Sequence, residues 1–112
     1  MKLTLDQAWT RCLPMWREIV AELKNRPNGD VIDLKHEYFE KHDPDANMYG
    51  ECYFCEYVFR HGGGCEVCPG ALIDPQFNCY ADEYHWFAKP VAFLHKIEEL
   101  YKKYLTKKRR RK

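Results

Sequence analysis

The sequence predicts a mainly α-helical protein in which two long helices enclose a short, irregular, cysteine-rich segment. Apolar residues recur at helical spacing near both ends of the chain, which predicts the two helices. Between them, five cysteines fall within residues 52–79, a stretch that is also rich in glycine and proline. We therefore expect the first and last helices to pack their apolar sides together over this segment.

The first element is an amphipathic helix that begins at Thr4. Thr4 and Gln7 have the spacing of a capping box, in which each side chain accepts a hydrogen bond from the other residue's backbone N–H. Pro14 lies inside the helical pattern and predicts a kink or a break, because it removes a backbone hydrogen bond. The apolar side of the helix comprises Trp9, Cys12, Leu13, Trp16, Ile19, Val20 and Leu23.

The middle of the chain is less regular. A short helix is predicted over residues 31–42, although a strand at its start also fits the pattern. Residues 53–59 have the composition of a short strand, and the glycines at 62–64 predict a flexible turn. Residues 68–79 contain two prolines and a glycine, which predict irregular backbone.

The last helix is predicted over residues 91–105, after a helical turn or two that ends before Pro90. Its apolar stripe comprises Phe93, Ile97, Leu100 and Tyr104. Two ion pairs with i,i+4 spacing, Glu98–Lys102 and Glu99–Lys103, favour the helix further.

The charge of the chain is divided unevenly. Residues 1–101 carry 10 Lys and Arg against 17 Asp and Glu, a net charge of −7, whereas residues 102–112 carry 8 basic groups and no acid. We place one domain at residues 1–105 and a flexible basic tail at 106–112. The tail can attract a phosphate backbone or an acidic partner, or serve only as a solvated end. Its cationic residues are Lys107, Lys108, Arg109, Arg110, Arg111 and Lys112.

The cysteines form two Cys-x-x-Cys pairs, 52/55 and 65/68, with nine residues between the pairs and ten more between Cys68 and Cys79. A Cys-x-x-Cys turn directs two sulfurs at one ion, and zinc prefers four tetrahedral ligands of this kind. We predict one structural Zn²⁺ in a zinc knuckle of treble or ribbon-like type, held by four of Cys52, Cys55, Cys65, Cys68 and Cys79. Cys79 can replace Cys65 or Cys68, His61 is a weaker candidate, and Cys12 is assigned to the core.

Other roles for these thiols fit the sequence less well. No signal peptide or membrane-spanning apolar run is visible, so we expect a reducing cytoplasmic location, where disulfide frameworks are rare. A thioredoxin-type pair would open a helix in a βαβ unit, a pattern that the sequence does not indicate. A catalytic zinc would need a His-x-Glu motif, yet only Glu51, Glu56 and Glu66 flank the cysteines. We therefore predict that the protein is not an enzyme.

Two further groups of side chains have simple explanations. The histidines, His36, His42, His61, His85 and His95, are scattered without the spacing of a shared metal site. The aromatic residues Tyr80, Tyr84, Trp86 and Phe87 could stack on nucleic-acid bases, but we expect them to pack against the cysteine segment.

The order of motifs also resembles a known group. An early TLDQAW…MW helix is followed by CYFCEY, CEVCP, a later lone cysteine beside a tyrosine, and YHWF. Over residues 4–105 this resembles a group of small, largely uncharacterised bacteriophage proteins, which lack the basic end found here. The resemblance implies a phage origin and a zinc site.

Small phage proteins often bind and inhibit a host factor, including defence systems. We therefore expect a phage accessory protein that binds a host protein inside the bacterial cell. The first alternative is a nucleic-acid-binding regulator that uses the basic tail, and the second is a zinc-dependent nuclease or deaminase. The sequence does not indicate an oligomeric state.

Overall fold

Five α-helices make up most of the described chain. A computed structural model describes residues 3–26, 29–43 and 52–110. The helices are α1 (Leu5–Asn25), α2 (Val31–His42), α3 (Tyr53–Arg60), α4 (Pro69–Ile73) and α5 (Pro90–Arg110), and a single 3₁₀ turn, Cys65–Val67, precedes α4. These described ranges contain no strand, so the prediction of a mainly helical protein is confirmed.

Helix α1 begins as predicted and is not split. Thr4 accepts a hydrogen bond from the N–H of Gln7, and the Gln7 side chain accepts one from Thr4, which completes the capping box. Pro14 lies on the exposed side, while Leu13 and Met15 beside it are buried. Because apolar residues on both sides of Pro14 are held in the core, the helix continues through the missing hydrogen bond.

Helix α5 packs along α1 through aromatic contacts. The ring centroids of Trp16 and Phe93 lie 4.9 Å apart, and Trp9 stacks on Tyr104 at 5.8 Å. Ile97 and Leu100 are fully buried, as the predicted stripe requires. The prediction that the first and last helices pack together is confirmed.

The ion pairs of α5 differ in part from the prediction. Lys103 pairs with Glu99 at 3.4 Å, as the i,i+4 spacing predicts. Glu98 forms an ion pair with Arg17 of α1 at 3.2 Å, so it links α5 to α1 instead of stabilising α5 alone.

Two segments form helices where the sequence predicted otherwise. Residues 53–59, predicted as a strand, belong to α3, which buries Tyr53 and Phe54. Phe54 meets Trp9 edge to face at 4.8 Å, so the apolar residues of α3 face α1 and need no strand partner. Residues 69–73, predicted as irregular, form α4, which begins with Pro69 at the first helical position, where proline is favoured.

Helix α5 also extends past the predicted domain boundary at residue 105, to Arg110. The carboxylate of Asp6 accepts hydrogen bonds from the Tyr104 hydroxyl and from the Lys108 ammonium group, the latter at 2.6 Å. These bonds hold the last turns of α5 to the start of α1. The flexible tail at residues 106–112 stays a prediction. None of the described helices is both long enough and apolar enough to span a membrane.

Candidate metal centre

The cysteines come together from separate elements of the fold. Cys12 lies in the middle of α1, Cys52 caps α3, Cys55 is in its first turn, Cys68 caps α4, and Cys79 lies in the loop before α5. Cys12 and Cys52 are buried, Cys55, Cys68 and Cys79 are partly buried, and Cys65 is exposed. None of them forms a disulfide. Residues far apart in the chain thus direct thiols to one side of α1.

Two of these thiols occupy helix N-termini. Cys52 is the N-cap of α3 and Cys68 is the N-cap of α4, although neither sulfur forms a capping hydrogen bond. First-turn N–H groups have no partner inside a helix, and they favour the charged form of a thiol that accepts from them. Such N–H groups act to lower the pKa of both thiols, but larger effects, the neighbouring thiols for Cys52 and burial for Cys68, decide the pKa of each.

The first Cys-x-x-Cys pair forms a chain of thiols with Cys12. Hydrogen bonds from Cys12 and Cys55 lower the pKa of Cys52 well below its ordinary value. Burial raises the pKa of Cys12, and its hydrogen bond to Cys52 raises that pKa further. The hydrogen bond to Cys52, together with burial, raises the pKa of Cys55. Cys52 is thus the acceptor between two neutral thiol donors.

Cys68 and Cys79 lie close enough to Cys52 for the charges of these thiols to affect one another. Burial raises the pKa of Cys68 to about 12, and negative charge on Cys52 and Cys79 adds to the effect. Burial likewise raises the pKa of Cys79 to about 11, with further contributions from Cys52 and Cys65. Mutual repulsion of this kind would be relieved by a shared cation.

A cleft opens beside these side chains. Its volume is about 580 Å³, and Cys55, Cys65, Cys68 and Cys79 all line it. The other walls are mainly apolar and include Val58, Phe59, Ala71, Pro75 and Phe77. The sequence-predicted cysteines therefore share one cleft, with the exception of Cys52, which lies behind it against Cys12.

The donor chemistry fits zinc, but the described side chains do not form a ready-made site. Within residues 3–26, 29–43 and 52–110, no three His, Cys, Asp or Glu side chains are grouped as metal ligands. Closure around an ion would therefore require the thiols to lose protons and rotate. The zinc knuckle stays a prediction.

The acids and the histidine beside the cysteines have other partners. Glu56 is buried and forms an ion pair with Arg60 at 2.9 Å. Glu66 accepts a hydrogen bond from the N–H of Gly64 at 3.1 Å. His61 is exposed and stacks on Tyr57, at 4.0 Å between ring centroids. Glu51 lies outside the described residues.

The first Cys-x-x-Cys pair does open a helix, contrary to the sequence interpretation, because Cys52 is the N-cap of α3. The strands of a thioredoxin-type βαβ unit are absent from the described residues. Cys12 and Cys55 lower the pKa of Cys52, but the described residues do not form the fold of a dithiol oxidoreductase.

Sequence reasoning missed two residues at this centre. Cys12 was assigned to the core alone, yet its thiol contacts Cys52. Lys35, on α2, is only 6% exposed, and its Nζ lies 4.2 Å from the ring centroid of Trp86. A lysine next to an apolar stripe is usually a surface residue, so no signal in the sequence distinguished Lys35.

The aromatic residues divide into two pairs. Tyr84 stacks on Phe77 of the cysteine segment at 5.8 Å, as expected, whereas Trp86 contacts Trp16 of α1 at 6.5 Å between ring centroids. Tyr80 and Phe87 are 62% and 45% exposed. These two remain accessible to a partner.

The basic end lies on the last turns of α5. Lys107, Lys108 and Arg109 are exposed, and Lys108 pairs with Asp6. A groove of about 300 Å³ on the same helix is lined by Ile73, Lys102, Lys103, Thr106 and Lys107. Arg111 and Lys112 lie outside the described residues, and α5 ends at Arg110.

Comparison with known proteins gives one partial similarity. A stretch of 66 residues is 33% identical to proteins named methionine–tRNA ligase from Francisella tularensis, among them those of subsp. tularensis strain SCHU S4 and subsp. holarctica strain OSU18. The match covers 53% of this chain but only 10% of each ligase. No family model matches the chain, and no solved structure matches it. The chain is thus similar to a small part of these ligases.

Proposed function

We propose that this chain is a small zinc-stabilised binding protein, in which one structural Zn²⁺ organises the middle of the fold and the folded body binds another protein. The observation that carries the proposal is the convergence of thiols from three segments: the start of α3, the start of α4 and the loop that contains Cys79. The neighbouring thiols of Cys12 and Cys55 lower the pKa of Cys52, which favours at that sulfur the thiolate that zinc binds.

The ligand set we propose is Cys52, Cys55, Cys68 and Cys79. Structural zinc sites are closed to solvent, and these four thiols are buried or partly buried. Cys65 is exposed, so it is the spare cysteine in this assignment. The assignment differs from the set that chain spacing alone favours, in which Cys65 stands in place of Cys79.

Bound zinc would supply folding free energy. The four cysteines would bind zinc as thiolates, so those that are protonated would release their protons, and the ion would then join α3, α4 and the Cys79 loop. The buried N-terminal half of α3 would be fixed against α1 by the same step. Small chains gain disproportionately from such a cross-link because their cores are limited.

Serine substitutions test both the zinc and its ligands. Metal content is measured by elemental analysis and by native mass spectrometry of reduced protein. We expect one zinc per wild-type chain, retention in Cys65→Ser, and loss in Cys52→Ser, Cys55→Ser, Cys68→Ser and Cys79→Ser. Loss in Cys65→Ser with retention in Cys79→Ser would refute the ligand set, whereas wild-type protein without zinc would refute the whole proposal.

The partner we propose is a host protein, bound by a phage accessory factor acting inside the bacterial cell and modulating or inhibiting that protein, for example in defence. The resemblance to small phage proteins supports this setting. The net charge of −7 over residues 1–101 suits a basic surface on the partner. The exposed rings of Tyr80 and Phe87 are of a type enriched at interfaces.

Affinity purification from bacterial lysate tests the partner. We expect one protein to be captured at moderate salt by the full chain and by a chain truncated after Thr106, because the basic tail is not required. The pair of substitutions Tyr80→Ser and Phe87→Ser should reduce capture, while the matched surface change Lys24→Ser should not. Equal capture by all variants would refute this surface, and no specific capture would refute the host-protein role.

A second candidate is nucleic-acid binding through the basic end of α5. Lys102, Lys103 and Lys107 line one groove on that helix, a charge arrangement that suits a phosphate backbone. The partial similarity to methionine–tRNA ligase makes transfer RNA a suitable probe beside duplex DNA. This candidate predicts salt-sensitive binding that truncation after Thr106 weakens strongly. Binding unchanged by salt or by the truncation would contradict it.

A further inference from the structure

The loop that precedes α5 is closed by its own hydrogen bonds. The backbone N–H of Trp86 donates to the carbonyl of Cys79 at 3.1 Å, which joins the two ends of residues 79–86. Between them, the N–H of Tyr84 donates to the carbonyl of Ala81 at 3.1 Å, the i to i+3 hydrogen bond of a β-turn. The loop therefore has a defined backbone although it is neither helix nor strand.

A histidine fixes the end of the loop that leads into α5. Nδ1 of His85 accepts hydrogen bonds from the backbone N–H groups of Phe87 and Ala88, at 3.2 and 3.3 Å. The carbonyl of His85 accepts a third hydrogen bond, from the N–H of Lys89 at 2.7 Å. The backbone of residues 85–89 is thus already ordered in the unbound protein.

Four rings form a continuous row along this loop. The ring centroids of Tyr80 and His85 lie 5.4 Å apart, and those of His85 and Trp86 lie 6.2 Å apart. Phe87 continues the row at 5.6 Å from Trp86, which also contacts Trp16 in the core. Tyr80 and Phe87, at the two ends, are 62% and 45% exposed. Exposed rings on an ordered backbone lose little conformational entropy when a partner binds.

Two carboxylates lie beside this row. Asp82 and Glu83 occupy the central positions of the β-turn, and both are exposed. Neither carboxylate forms an ion pair or a side-chain hydrogen bond with another residue that the structure describes. Residues 78–89 contain these two acids and one lysine, Lys89, so their net charge is −1 when His85 is neutral. Aromatic faces and carboxylates both attract cations, so the loop combines two features that favour the same kind of ligand.

We propose that this loop is the docking surface for an arginine-bearing segment of the partner protein, whose guanidinium group stacks on Tyr80 and pairs with Asp82 or Glu83. This inference rests on the binding role proposed above and adds the chemistry of the partner. Arginine suits the surface better than lysine, because its planar guanidinium both stacks on rings and forms bidentate hydrogen bonds to a carboxylate. Phe87 supplies an apolar contact at the other end of the row. The net charge of −7 over residues 1–101 attracts a basic segment to the protein.

The same surface distinguishes this partner from two others. A phosphate backbone would be repelled by Asp82 and Glu83, although nucleic-acid bases could stack on the rings. An apolar partner would use the rings and would not need the carboxylates. An arginine ligand is therefore weakened both by loss of a ring and by loss of the carboxylates.

The test is an NMR titration of reduced, ¹⁵N-labelled protein at low salt. The probes are a short glycine–serine peptide with two arginines, the same peptide with citrulline in place of arginine, and a single-stranded thymidine oligonucleotide. Citrulline keeps the shape of the arginine side chain without its charge. We expect the arginine peptide to bind with a millimolar Kd and to shift the resonances of residues 78–89. The citrulline peptide should bind about 2- to 5-fold more weakly, and the oligonucleotide should leave these resonances unchanged.

Matched variants assign the binding to the ring row and the carboxylates. We expect Tyr80→Ser, and separately Asp82→Asn with Glu83→Gln, to weaken the arginine peptide about 2- to 5-fold each. Tyr80→Phe keeps the ring and should bind like the wild type. The controls are Phe59→Ser, at an exposed ring outside the row, and Glu40→Gln, at an exposed carboxylate of α2, and neither should change the affinity. The spectrum of each variant shows whether it is folded.

Three results would overturn the inference: equal binding of the citrulline peptide, binding of the oligonucleotide at the loop, or an affinity that the Phe59 and Glu40 controls reduce as much as the loop variants do. A host protein captured from lysate, with no binding of the arginine peptide to the loop, would overturn this inference and leave the binding role intact. Loop-specific peptide binding without a captured protein would support the inference and refute the host-protein role.

Discussion

The thiol of Cys12, in the middle of α1, donates a hydrogen bond to the sulfur of Cys52 at the N-cap of α3. This contact joins the hydrophobic core directly to the first cysteine pair. Both residues are buried, at 0% and 8% exposure, so water does not compete for the bond. Cys12 therefore orients Cys52 without being one of the proposed zinc ligands.

Replacing Cys12 tests that placement. We expect Cys12→Ala to retain one zinc and to lower the free energy of unfolding by about 1–2 kcal/mol, through a small cavity and a lost hydrogen bond. Chemical denaturation and native mass spectrometry measure the two quantities. Cys65→Ala, at an exposed position, is the matched control and should change stability little. Loss of zinc from Cys12→Ala would make Cys12 a ligand.

Gly70 is required for the packing of α4. A Cβ atom at this position would lie 2.6 Å from Cδ1 of Phe77, a buried side chain that stacks on Tyr84. We expect Gly70→Ala to destabilise the protein by about 1–3 kcal/mol, as overpacked cores do. The control is Leu72→Ala on the exposed side of the same helix. Equal melting temperatures for Gly70→Ala and the wild type would contradict this packing.

Asp6 fastens the end of α5 to the start of α1. The hydrogen bond from Lys108, followed by that from Tyr104, lowers the pKa of Asp6 below its usual 3.8. The folded pKa is the lower one, so the contribution to stability is present above pH 3.8 and is lost as pH falls through the folded value. The Asp6 side chain is about half exposed, so we expect Asp6→Asn to cost only about 0.2–1 kcal/mol at neutral pH.

Thermal melts of wild type and Asp6→Asn across pH check this prediction. The difference between them should vanish at strongly acidic pH, and comparison at each pH cancels the effects of acid that both proteins share. In a double-mutant cycle, Lys108→Met should remove most of the effect of Asp6→Asn. A difference that persists in acid would mean that the Asp6 carboxylate acts by another route.

The two long helices were predictable because their signals are local. Trp9, Trp16, Ile97 and Leu100 recur at helical spacing and are all buried, and Thr4 with Gln7 marks the start of α1. Pro14 was misleading, since tertiary packing on both sides keeps α1 continuous. Short apolar runs carry less information, so composition alone did not separate α3 from a strand.

The centre itself was only partly predictable. The Cys-x-x-Cys spacing indicated residues that lie close together, since Cys55, Cys65, Cys68 and Cys79 share one cleft, while the zinc site itself stays a prediction. The contact of Cys12 with Cys52 and the burial of Lys35 depend on how α1, α2 and α3 pack. Long-range packing of this kind leaves no local mark in the sequence. The exposure of Cys65 likewise follows from the 3₁₀ turn that precedes α4.

The most direct test of the account is the zinc content of reduced, purified protein, measured together with its melting temperature with and without a strong chelator. The account predicts one tightly bound zinc per chain and a large fall in melting temperature when the zinc is removed. Metal-free protein that melts at the same temperature in both conditions would contradict it.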